Sequence, residues 1–505
     1  MSADLVLGID CSTTASKAVA WDATGEPVAE ARHSLELLSP KPGWGEQSAE
    51  DWWAATVAAI RGVITAIPAE RIAAVSITHQ RETFVPVMAD GRPLRNGILW
   101  LDERSRTQLG ELDRRFGADA LHQLTGRPLS MTQSLPKLLW LVEHEPATVL
   151  DADLIVEVAG YLGFRLTGQW HTSLSSADPM GIVDLAKGVW AEDIITGIGL
   201  SPRQFIPFSP PGSVIGEVSD QAAAETGLQR GTLLVAGAGD GQAASLGAGV
   251  TGPGVSFANI GTAIAGGVVS DRYLADLAFR TCSGAVPGTF VFESVLRGGT
   301  ATVTWFMDHI ADPTIAGDRF DHYEALAAGL PPGAEGLMLV PYWNTVMNPY
   351  WDAAASGMVL GWTVAHRRHH LYRAILEGIA LEHRVAMDAI VAASAEPVSR
   401  HVVLGGGARS PLWRQIICDV LGEPVSLARS ADATNLGAGI LAAAAAGLHP
   451  TIHEAAAAMT ALTATHEPEP IASDAYSTLY HEVYRGLFPA IRPLMDRLTE
   501  IAGHP

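Results

Sequence analysis

The chain has 505 residues, 48% of them hydrophobic and 17% charged, and its formal net charge is −21 at pH 7. One hydrophobic core stops growing at about 250–300 residues, so this length predicts two domains. The negative charge disfavours nucleic acid and anionic membranes as partners, although one local basic patch is compatible with it. A site for an anionic ligand would therefore depend on backbone N–H groups, a bound cation and a few local positive charges.

The three cysteines, Cys11, Cys282 and Cys418, are far apart in the sequence. An odd number without close pairs argues against a disulfide framework or a thiolate zinc site, and it predicts reduced thiols. The N-terminus has no basic region followed by an apolar stretch, so we expect no signal peptide. No apolar run approaches the ~20 residues that a membrane span needs. We therefore expect a cytoplasmic protein.

The first half of the chain combines short apolar runs with helical patterns. Residues 5–10 and 18–21 flank a polar turn and together predict a β-hairpin. Further along, residues 49–67 carry the apolar face of a helix, and residues 71–78 predict a buried strand. Residues 233–239 predict another strand, which ends in glycines.

The second half repeats this organisation. Residues 255–269 predict a second hairpin around a Gly-Thr turn, residues 371–391 a long amphipathic helix, and residues 401–404 a strand that leads into three glycines. Strands that alternate with helices predict an α/β fold, and the two hairpins suggest a duplicated architecture. The glycine-rich stretch 249–254 interrupts the periodicity, which predicts domains at residues 1–250 and 251–505.

A group of polar residues follows the first predicted strand. Asp10 ends this strand, and Thr13, Thr14 and Lys17 come soon after it. Hydroxyl and backbone N–H groups at a tight turn can bind phosphate oxygens, and a lysine adds positive charge. A carboxylate beside them suits Mg²⁺, which prefers oxygen ligands. The alternative is an ordinary hairpin turn rich in small polar residues.

Three more segments combine glycine or polar residues with strand ends. Asp240 lies between glycines after a buried strand, where a carboxylate can accept a hydroxyl proton from a closely approaching substrate. Gly405–407 would let a flat ligand lie on the backbone, although a plain strand–helix turn explains the glycines equally well. Gln80, Arg81 and Glu82 follow a strand and could bind a polyhydroxy ligand. Turn and surface roles remain alternatives for these residues.

His366, His369 and His370 lie together near the predicted start of the long helix, beside two arginines. Three histidines in five residues raise the possibility of a metal site. A solvated helix face is the interpretation that we favour, because these residues lie at a probable helix start.

In this order, the segments resemble the FGGY family of carbohydrate kinases over essentially the whole chain. Trp362 departs from the family's second signature, where a smaller aliphatic residue is usual. Each motif is moderately specific, whereas their ordered set is highly specific. The matching segments are residues 7–22 for the first phosphate loop, 77–83 and 98–106 for the substrate region, 137–144 and 357–377 for the two signatures, and 405–411 for the adenosine loop.

The resemblance implies two RNase H-like domains of the actin and sugar-kinase superfamily, which flank a catalytic cleft. It implies ATP as co-substrate, Mg²⁺ near the phosphates and a small-molecule sugar or polyol as partner, and a homodimer is compatible with it. By this resemblance, Asp240 matches the family's catalytic base and Asp10 the acidic residue near the metal. The first phosphate loop is matched by Thr13, Thr14 and Lys17, and the second by Thr262. The adenosine site is matched by Gly405, Gly406 and Gly407, and the substrate pocket by Gln80, Arg81, Glu82 and Trp100.

Three departures from glycerol kinase predict a wider substrate pocket. Thr132 stands in place of a tyrosine, Ala265 in place of an aromatic residue, and Gly241 in place of a glutamine. Because unfilled volume forfeits dispersion contacts, a three-carbon substrate would bind poorly, and a ketopentulose is the best candidate. Of the xylulokinase signature Gln-Met-His-Gly only Gln80 is present, so a glycerol- or erythritol-type polyol kinase remains the alternative.

The same superfamily contains nucleotide-switched chaperones and filament proteins. A non-catalytic ATP-switched binding or sensor protein is therefore the alternative from another class. Such a protein needs no acceptor pocket, and the ordered substrate segments together with Asp240 argue against it. Release of ADP in the presence and absence of sugars would discriminate between the two.

Overall fold

The computed structural model describes residues 3–352 and 354–503. A large mixed β-sheet lies in each half of the chain. Across the first sheet the strand order is β5-β6-β4-β1-β2-β3. The described strands of this sheet are β1 (Leu5–Cys11), β2 (Ala15–Trp21), β3 (Pro27–Ser34), β4 (Ile72–His79), β5 (Val214–Glu217) and β6 (Leu233–Gly239).

The second sheet is formed by residues after 254. Its strand order is β9-β10-β8-β7-β11-β12-β13. The described strands of this sheet are β7 (Val255–Ile260), β8 (Ile264–Ser270), β9 (Arg280–Ser283), β10 (Phe290–Leu296), β11 (Arg400–Leu404), β12 (Val425–Ala428) and β13 (Leu462–His466).

The two sheets share one topology. In the first, β3, β2 and β1 are antiparallel neighbours, β4 and β6 continue in parallel, and β5 closes the edge in the antiparallel direction. In the second, β10, β8 and β7 are antiparallel, β11 and β12 continue in parallel, and β13 closes the edge, while β9 pairs outside β10. The predicted hairpins and the duplicated α/β architecture are therefore confirmed.

The predicted helices over residues 49–67 and 371–391 are present, and the second extends further at both ends. The helices in chain order are α1 (Ala49–Ala66), α2 (Gln108–Phe116), α3 (Ala118–Thr125), α4 (Ser134–His144), α5 (Pro146–Asp151), α6 (Val158–Thr167), α7 (Leu174–Ala177), α8 (Glu192–Gly197), α9 (Asp220–Thr226), α10 (Asp240–Gly247), α11 (Thr300–His309), α12 (Arg319–Ala328), α13 (Arg368–Ser394), α14 (Pro411–Leu421), α15 (Ala433–Ala445), α16 (Ile452–Met459), α17 (Pro470–Leu479) and α18 (Arg485–Ala502).

Local chemistry fixes the ends of α1. The Ser48 side chain accepts the N–H of Asp51 at 3.3 Å, which satisfies one of the unpaired donors of the first turn. Pro68 follows the last turn and cannot continue the helix. Between these ends, Trp52 and Ile60 are fully buried in the core beneath the first sheet. The helix therefore packs against the first sheet through the face that its sequence pattern predicts.

Residues 84–205 add a smaller unit to the first half. A separate small sheet pairs Phe84–Val87 with Gly97–Ile98 and with Leu154–Glu157. Helices α2, α4 and α8 enclose its own hydrophobic core, which includes Leu139 and Ile195. This unit forms one wall of the cleft described below.

The two halves meet at helices α10 and α15. A Cβ atom on Gly247 would lie 1.8 Å from the carbonyl oxygen of Ala433, so the two backbones are in direct contact. Asn435 donates to the carbonyl of Gly8 at 3.1 Å and accepts the indole N–H of Trp21 at 2.9 Å. Residues of the second half thus complete the core of the first half. The domain boundary at residue 250 stays a prediction.

The cysteines agree with the predicted reduced state. Cys11, Cys282 and Cys418 are buried free thiols. Burial raises the pKa of each thiol above its usual value, which keeps all three protonated at neutral pH.

Within residues 3–352 and 354–503, every helix is too short or too polar to cross a membrane.

Candidate active site

Three neighbouring strands bring the predicted polar residues to one edge of the first sheet. β1, β4 and β6 are adjacent and parallel, so their carboxyl ends meet at this edge. Asp10 lies near the end of β1, Arg81 follows β4, and Asp240 begins α10 directly after β6. Residues that are far apart in the sequence therefore gather in one place.

The Asp240 carboxylate is fixed on one side and open on the other. Its Oδ1 accepts the N–H of Gly241 at 2.7 Å and lies 2.8 Å from Nε of Arg81. The side chain is nevertheless 48% exposed. A carboxylate that is oriented by two donors and faces a cavity can accept the proton of a bound hydroxyl group.

Arg81 is held by Glu293 of the second half. Its Nη2 and Nη1 atoms lie 3.0 and 3.2 Å from the two carboxylate oxygens of Glu293. Burial raises the pKa of Glu293, but the charges of Arg280 and Arg81 outweigh burial and lower this pKa to about 2. Glu293 is therefore ionised throughout the physiological range and keeps Arg81 against Asp240.

Arg280 links Glu293 to Glu82 in the first half of the chain. Its Nε donates to Glu293, and its Nη1 lies 3.4 Å from Oε1 of Glu82. Glu82 has a φ of 58°, a left-handed conformation that few residues other than glycine adopt. Such a conformation persists only where the surroundings hold it, and the ion pair with Arg280 contributes to that. We call Asp240, Arg81, Glu293, Arg280 and Glu82 the clamp.

A cavity of about 900 Å³ opens beside the clamp. We call it the first cavity. Its walls combine charged groups with aromatic rings, which suits a ligand that has several hydroxyl groups and one apolar face. The lining residues include Arg81, Glu82, Trp100, Thr132 and Asp240 from the first half, and Ala265, Arg280, Val295 and Trp343 from the second.

Of the three positions expected to widen the pocket, Thr132 and Ala265 line the first cavity and Gly241 does not. A Cβ atom on Gly241 would lie 2.5 Å from Oε1 of Glu293 and 3.0 Å from Nη2 of Arg81. The ion pair between these two residues occupies the space that a side chain would need. The interpretation of Gly241 as a source of pocket volume was therefore wrong.

Gln80 lies behind the cavity wall and is 2% exposed. Its Nε2 donates to Gln47 at 2.9 Å, and its Oε1 accepts the Thr13 hydroxyl at 3.1 Å. Thr13 in turn accepts the indole N–H of Trp100 at 3.0 Å. These hydrogen bonds position Trp100, which lines the first cavity, whereas Gln80 and Thr13 do not line it.

Lys137 supports the same wall from inside the protein. Its Nζ donates to backbone carbonyls at 2.7–3.2 Å, and the side chain is fully buried. Burial lowers the pKa of Lys137 to about 7, and the charges of Glu82 and Asp102 oppose this effect. The lysine therefore pins a loop and a strand end together. The carbonyls belong to Trp100, Met131, Thr132 and Gln133.

Asp10 has the surroundings expected of a cation ligand. Its Oδ1 is buried and has no hydrogen-bond partner among the described residues. Burial raises the pKa of Asp10 well above its usual value, and the charges of Asp432 and Asp240 add to this effect. Mg²⁺ commonly binds to one or two carboxylates together with phosphate oxygens and water. The buried, unpaired Oδ1 of Asp10 fits that pattern as one such ligand.

The remaining residues of the first hairpin have other partners in the structure. Lys17 Nζ lies 2.8 Å from Glu30 and 3.0 Å from Asp432, so two carboxylates already balance its charge. Thr14 is exposed, and its hydroxyl lies 3.5 Å from a guanidinium nitrogen of Arg32. The roles of Lys17 and Thr14 in binding phosphate stay predictions.

A second cavity, of about 990 Å³, lies in the second half. Gly406 and Gly407 line it, and Gly405 makes the preceding turn with a φ of 89°. Added at Gly405, a Cβ would approach Oδ1 of Asn259 to 2.3 Å, whereas the space beside Gly406 is open. Backbone without side chains lets a flat ligand approach closely. Other lining residues are Thr304, Phe320, Tyr372, Arg409 and Trp413.

The two cavities adjoin at the turn between β7 and β8. Gly261 lines the second cavity, and the next residue, Thr262, lines the first. An elongated ligand seated in the second cavity can therefore extend over this turn toward Asp240. The geometry connects a site for a flat ring with a site for a hydroxylated molecule.

Sequence reasoning missed the contribution of the second half to the first cavity. Arg280, Glu293 and Arg297 were not identified as site residues, and neither was Trp343. A signal was present in the segment 289–296, where Glu293 is the one charged residue in a hydrophobic strand. A buried charge in a strand needs a partner, and here that partner lies in the other half of the chain.

Models of the FGGY family of carbohydrate kinases match the chain in two parts, the N-terminal domain at residues 5–247 and the C-terminal domain at residues 258–446. The chain is similar to xylulose kinase of Bacillus subtilis, with 28% identity over 98% of each chain. It is also similar to glycerol kinase of Methylibium petroleiphilum, with 30% identity over 90% of this chain and 93% of that one.

The fold is likewise similar to known structures. The crystal structure of xylulose kinase from Rhodospirillum rubrum superposes with a TM-score of 0.90 at 28% identity, covering 98% of this chain and 100% of that one. Family models that together match most of the residues, and a fold shared over the whole length, lead to one conclusion. The chain belongs to the FGGY family of carbohydrate kinases.

Proposed function

We propose that this sugar kinase transfers the terminal phosphoryl group of ATP to a hydroxyl group of a ketopentulose. The observation that carries the proposal is the pair of adjoining cavities with Asp240 at the acceptor end. The second cavity, with its glycine-lined floor, would bind the adenosine group. The first would bind the sugar against the clamp.

Asp240 would act as the general base. A hydroxyl oxygen of the bound sugar attacks the terminal phosphorus while its proton passes to the Asp240 carboxylate. The bond from that phosphorus to the bridging oxygen breaks, and ADP leaves. Arg81 contributes by orienting Asp240, since its Nε lies 2.8 Å from Oδ1. Mg²⁺ held near Asp10 would supply positive charge to the phosphate oxygens.

The size of the first cavity supports an acceptor larger than glycerol. Small side chains at Thr132 and Ala265 line it, where glycerol kinase has larger ones by the comparison of motifs. A three-carbon substrate would leave part of this space unfilled and lose dispersion contacts. A five-carbon ketose fills more of it and offers more hydroxyl groups to Glu82 and Arg280.

The test is a comparison of kcat/KM for glycerol, erythritol, D-xylulose, D-ribulose and L-ribulose under identical conditions. We expect a ketopentulose to give the highest value. Glycerol or erythritol as the best substrate would favour the polyol-kinase alternative, which the similarity to a glycerol kinase also supports. Nucleotide binding without sugar-dependent ADP release from any acceptor would instead favour an ATP-switched binding protein. A homodimer and a cytoplasmic location stay predictions.

A further inference from the structure

Arg297 follows β10 at the point where the two cavities meet. Along β10, Val295 pairs with Ala265 and Leu296 pairs with Ile264, so the next position places Arg297 beside Ala263. Ala263 directly follows Thr262 in the turn that joins the cavities. Arg297, Thr262 and Ala263 all line the first cavity. The guanidinium therefore belongs to the phosphate end of the cleft.

The charge of Arg297 is not balanced by a carboxylate within the described part of the chain. Its Nη1 donates to the Thr345 hydroxyl at 3.3 Å. By contrast, Arg81 and Arg280 both form ion pairs with Glu293. Arg297 is exposed to the cavity and can turn toward a ligand without breaking an ion pair.

The first hairpin adds little free positive charge at the phosphate end of the cleft. Asp10 is flanked by the charges of Asp432 and Asp240. Lys17, the cation of the first phosphate loop, is already bound to Glu30 and Asp432. A transferring phosphoryl group carries negative charge that must be neutralised from close range. Arg297 is positioned to contribute to that neutralisation from the second half of the chain.

We propose that Arg297 is a phosphate-binding residue that contacts the terminal phosphoryl oxygens of the nucleotide. This inference rests on the proposed function, because that function assigns the nucleotide to the second cavity. The same guanidinium chemistry would suit a carboxylate on the acceptor, as in a sugar acid, because arginine binds both kinds of oxyanion. The position beside Thr262 favours the phosphoryl group.

The experiment compares Arg297→Met and Arg297→Lys with the wild type. Arg230→Met is the control, since Arg230 is a surface residue with 74% exposure. Titration calorimetry without sugar measures affinities for AMP, ADP and a non-hydrolysable ATP analogue. We expect Arg297→Met to weaken binding of the ATP analogue about tenfold or more and to leave AMP binding unchanged. For Arg297→Lys we expect an affinity for the ATP analogue between those of Arg297→Met and the wild type.

Turnover provides the second measurement. Loss of one preorganised donor to a developing charge lowers kcat about 10²-fold or more, and we expect this for neutral acceptors. Unchanged affinity for the ATP analogue together with unchanged kcat would overturn the proposal. A loss confined to D-gluconate as acceptor would also overturn it, in favour of a carboxylate contact. If the wild type phosphorylates no sugar but the analogue still binds through Arg297, the proposed function fails and this inference stands.

Discussion

The two ends of the cleft are built on different principles. The first cavity takes its lining from both halves of the chain, from Arg81 to Asp240 and from Thr262 to Met347. The second is lined by residues 260–413, all of them in the second half. The proposed acceptor end is richer in charged side chains, whereas the proposed nucleotide end combines glycines and apolar side chains with a smaller share of charged ones.

The two ends of the cleft therefore depend on different parts of the chain. The clamp joins the halves through Glu293 and Arg280, which are 1% and 11% exposed. Its geometry therefore requires a fixed placement of one half against the other. The proposed nucleotide end takes its lining from the second half of the chain alone. A change in the clamp should alter acceptor kinetics and leave nucleotide binding intact, and the following predictions test that separation.

The largest effect is expected for Asp240→Asn. Asparagine keeps the size of the side chain and cannot take the hydroxyl proton, so we expect kcat to fall about 10²–10⁴-fold. Binding of ADP, measured by titration calorimetry, should be unchanged because Asp240 lies at the acceptor end. The assignment of Asp240 as the base fails if turnover stays near the wild-type value.

A smaller effect is expected for Glu293→Gln. This change removes the charge that pairs with Arg81 and Arg280, and the base and the clamp lose their fixed geometry. We expect acceptor kcat/KM to fall about tenfold to 10²-fold, since small displacements of catalytic groups have effects of this size. The KM for ATP should stay within about twofold of the wild-type value, because none of the clamp residues lines the second cavity.

Glu26→Gln is the matched control. Glu26 also pairs across the halves, with Arg429 at 2.7 Å, but these side chains are 57% and 38% exposed. Exposed pairs contribute about 0–1 kcal/mol, so this variant should keep wild-type kinetics. Equal losses in both variants would mean that the clamp acts only by joining the halves.

Much of the fold followed from the sequence because its signals are local. The hairpins at β1–β2 and β7–β8 and helices such as α1 have apolar patterns and turn residues within a few positions of each other. The positions of Asp240 and Arg81 after strand ends also followed, because each comes soon after a predicted buried strand. Their meeting at one edge depends on the long-range pairing of β1, β4 and β6.

Features that depend on distant contacts were not predicted. The sequence at Gly241 indicated open space, but Glu293, from another part of the chain, fills it. His366 and His370 were interpreted as a solvated helix face, and this was wrong. Both are buried, and their Nδ1 atoms accept backbone N–H groups of Thr363 and Arg367 at the start of α13. Only the folded chain reveals which side chains are supplied with partners from elsewhere.

The smallest effect is expected for Asp10→Asn, measured as stability without nucleotide or Mg²⁺. Oδ1 of Asp10 is buried without a hydrogen-bond partner, and the charges of Asp432 and Asp240 lie nearby. Burying a charged group beside two like charges costs ~1–3 kcal/mol, so the neutral amide, which removes the charge, should raise the free energy of unfolding by a similar amount. The control is Asp4→Asn, because Asp4 precedes the same strand but is exposed and paired with Arg71 at 2.7 Å. Asp4→Asn should leave the free energy of unfolding unchanged or lower it slightly.

In the presence of ADP, Mg²⁺ should stabilise the wild type and not Asp10→Asn. Lower stability of Asp10→Asn in chelator would show that Asp10 has a structural partner and is not held ready for a cation.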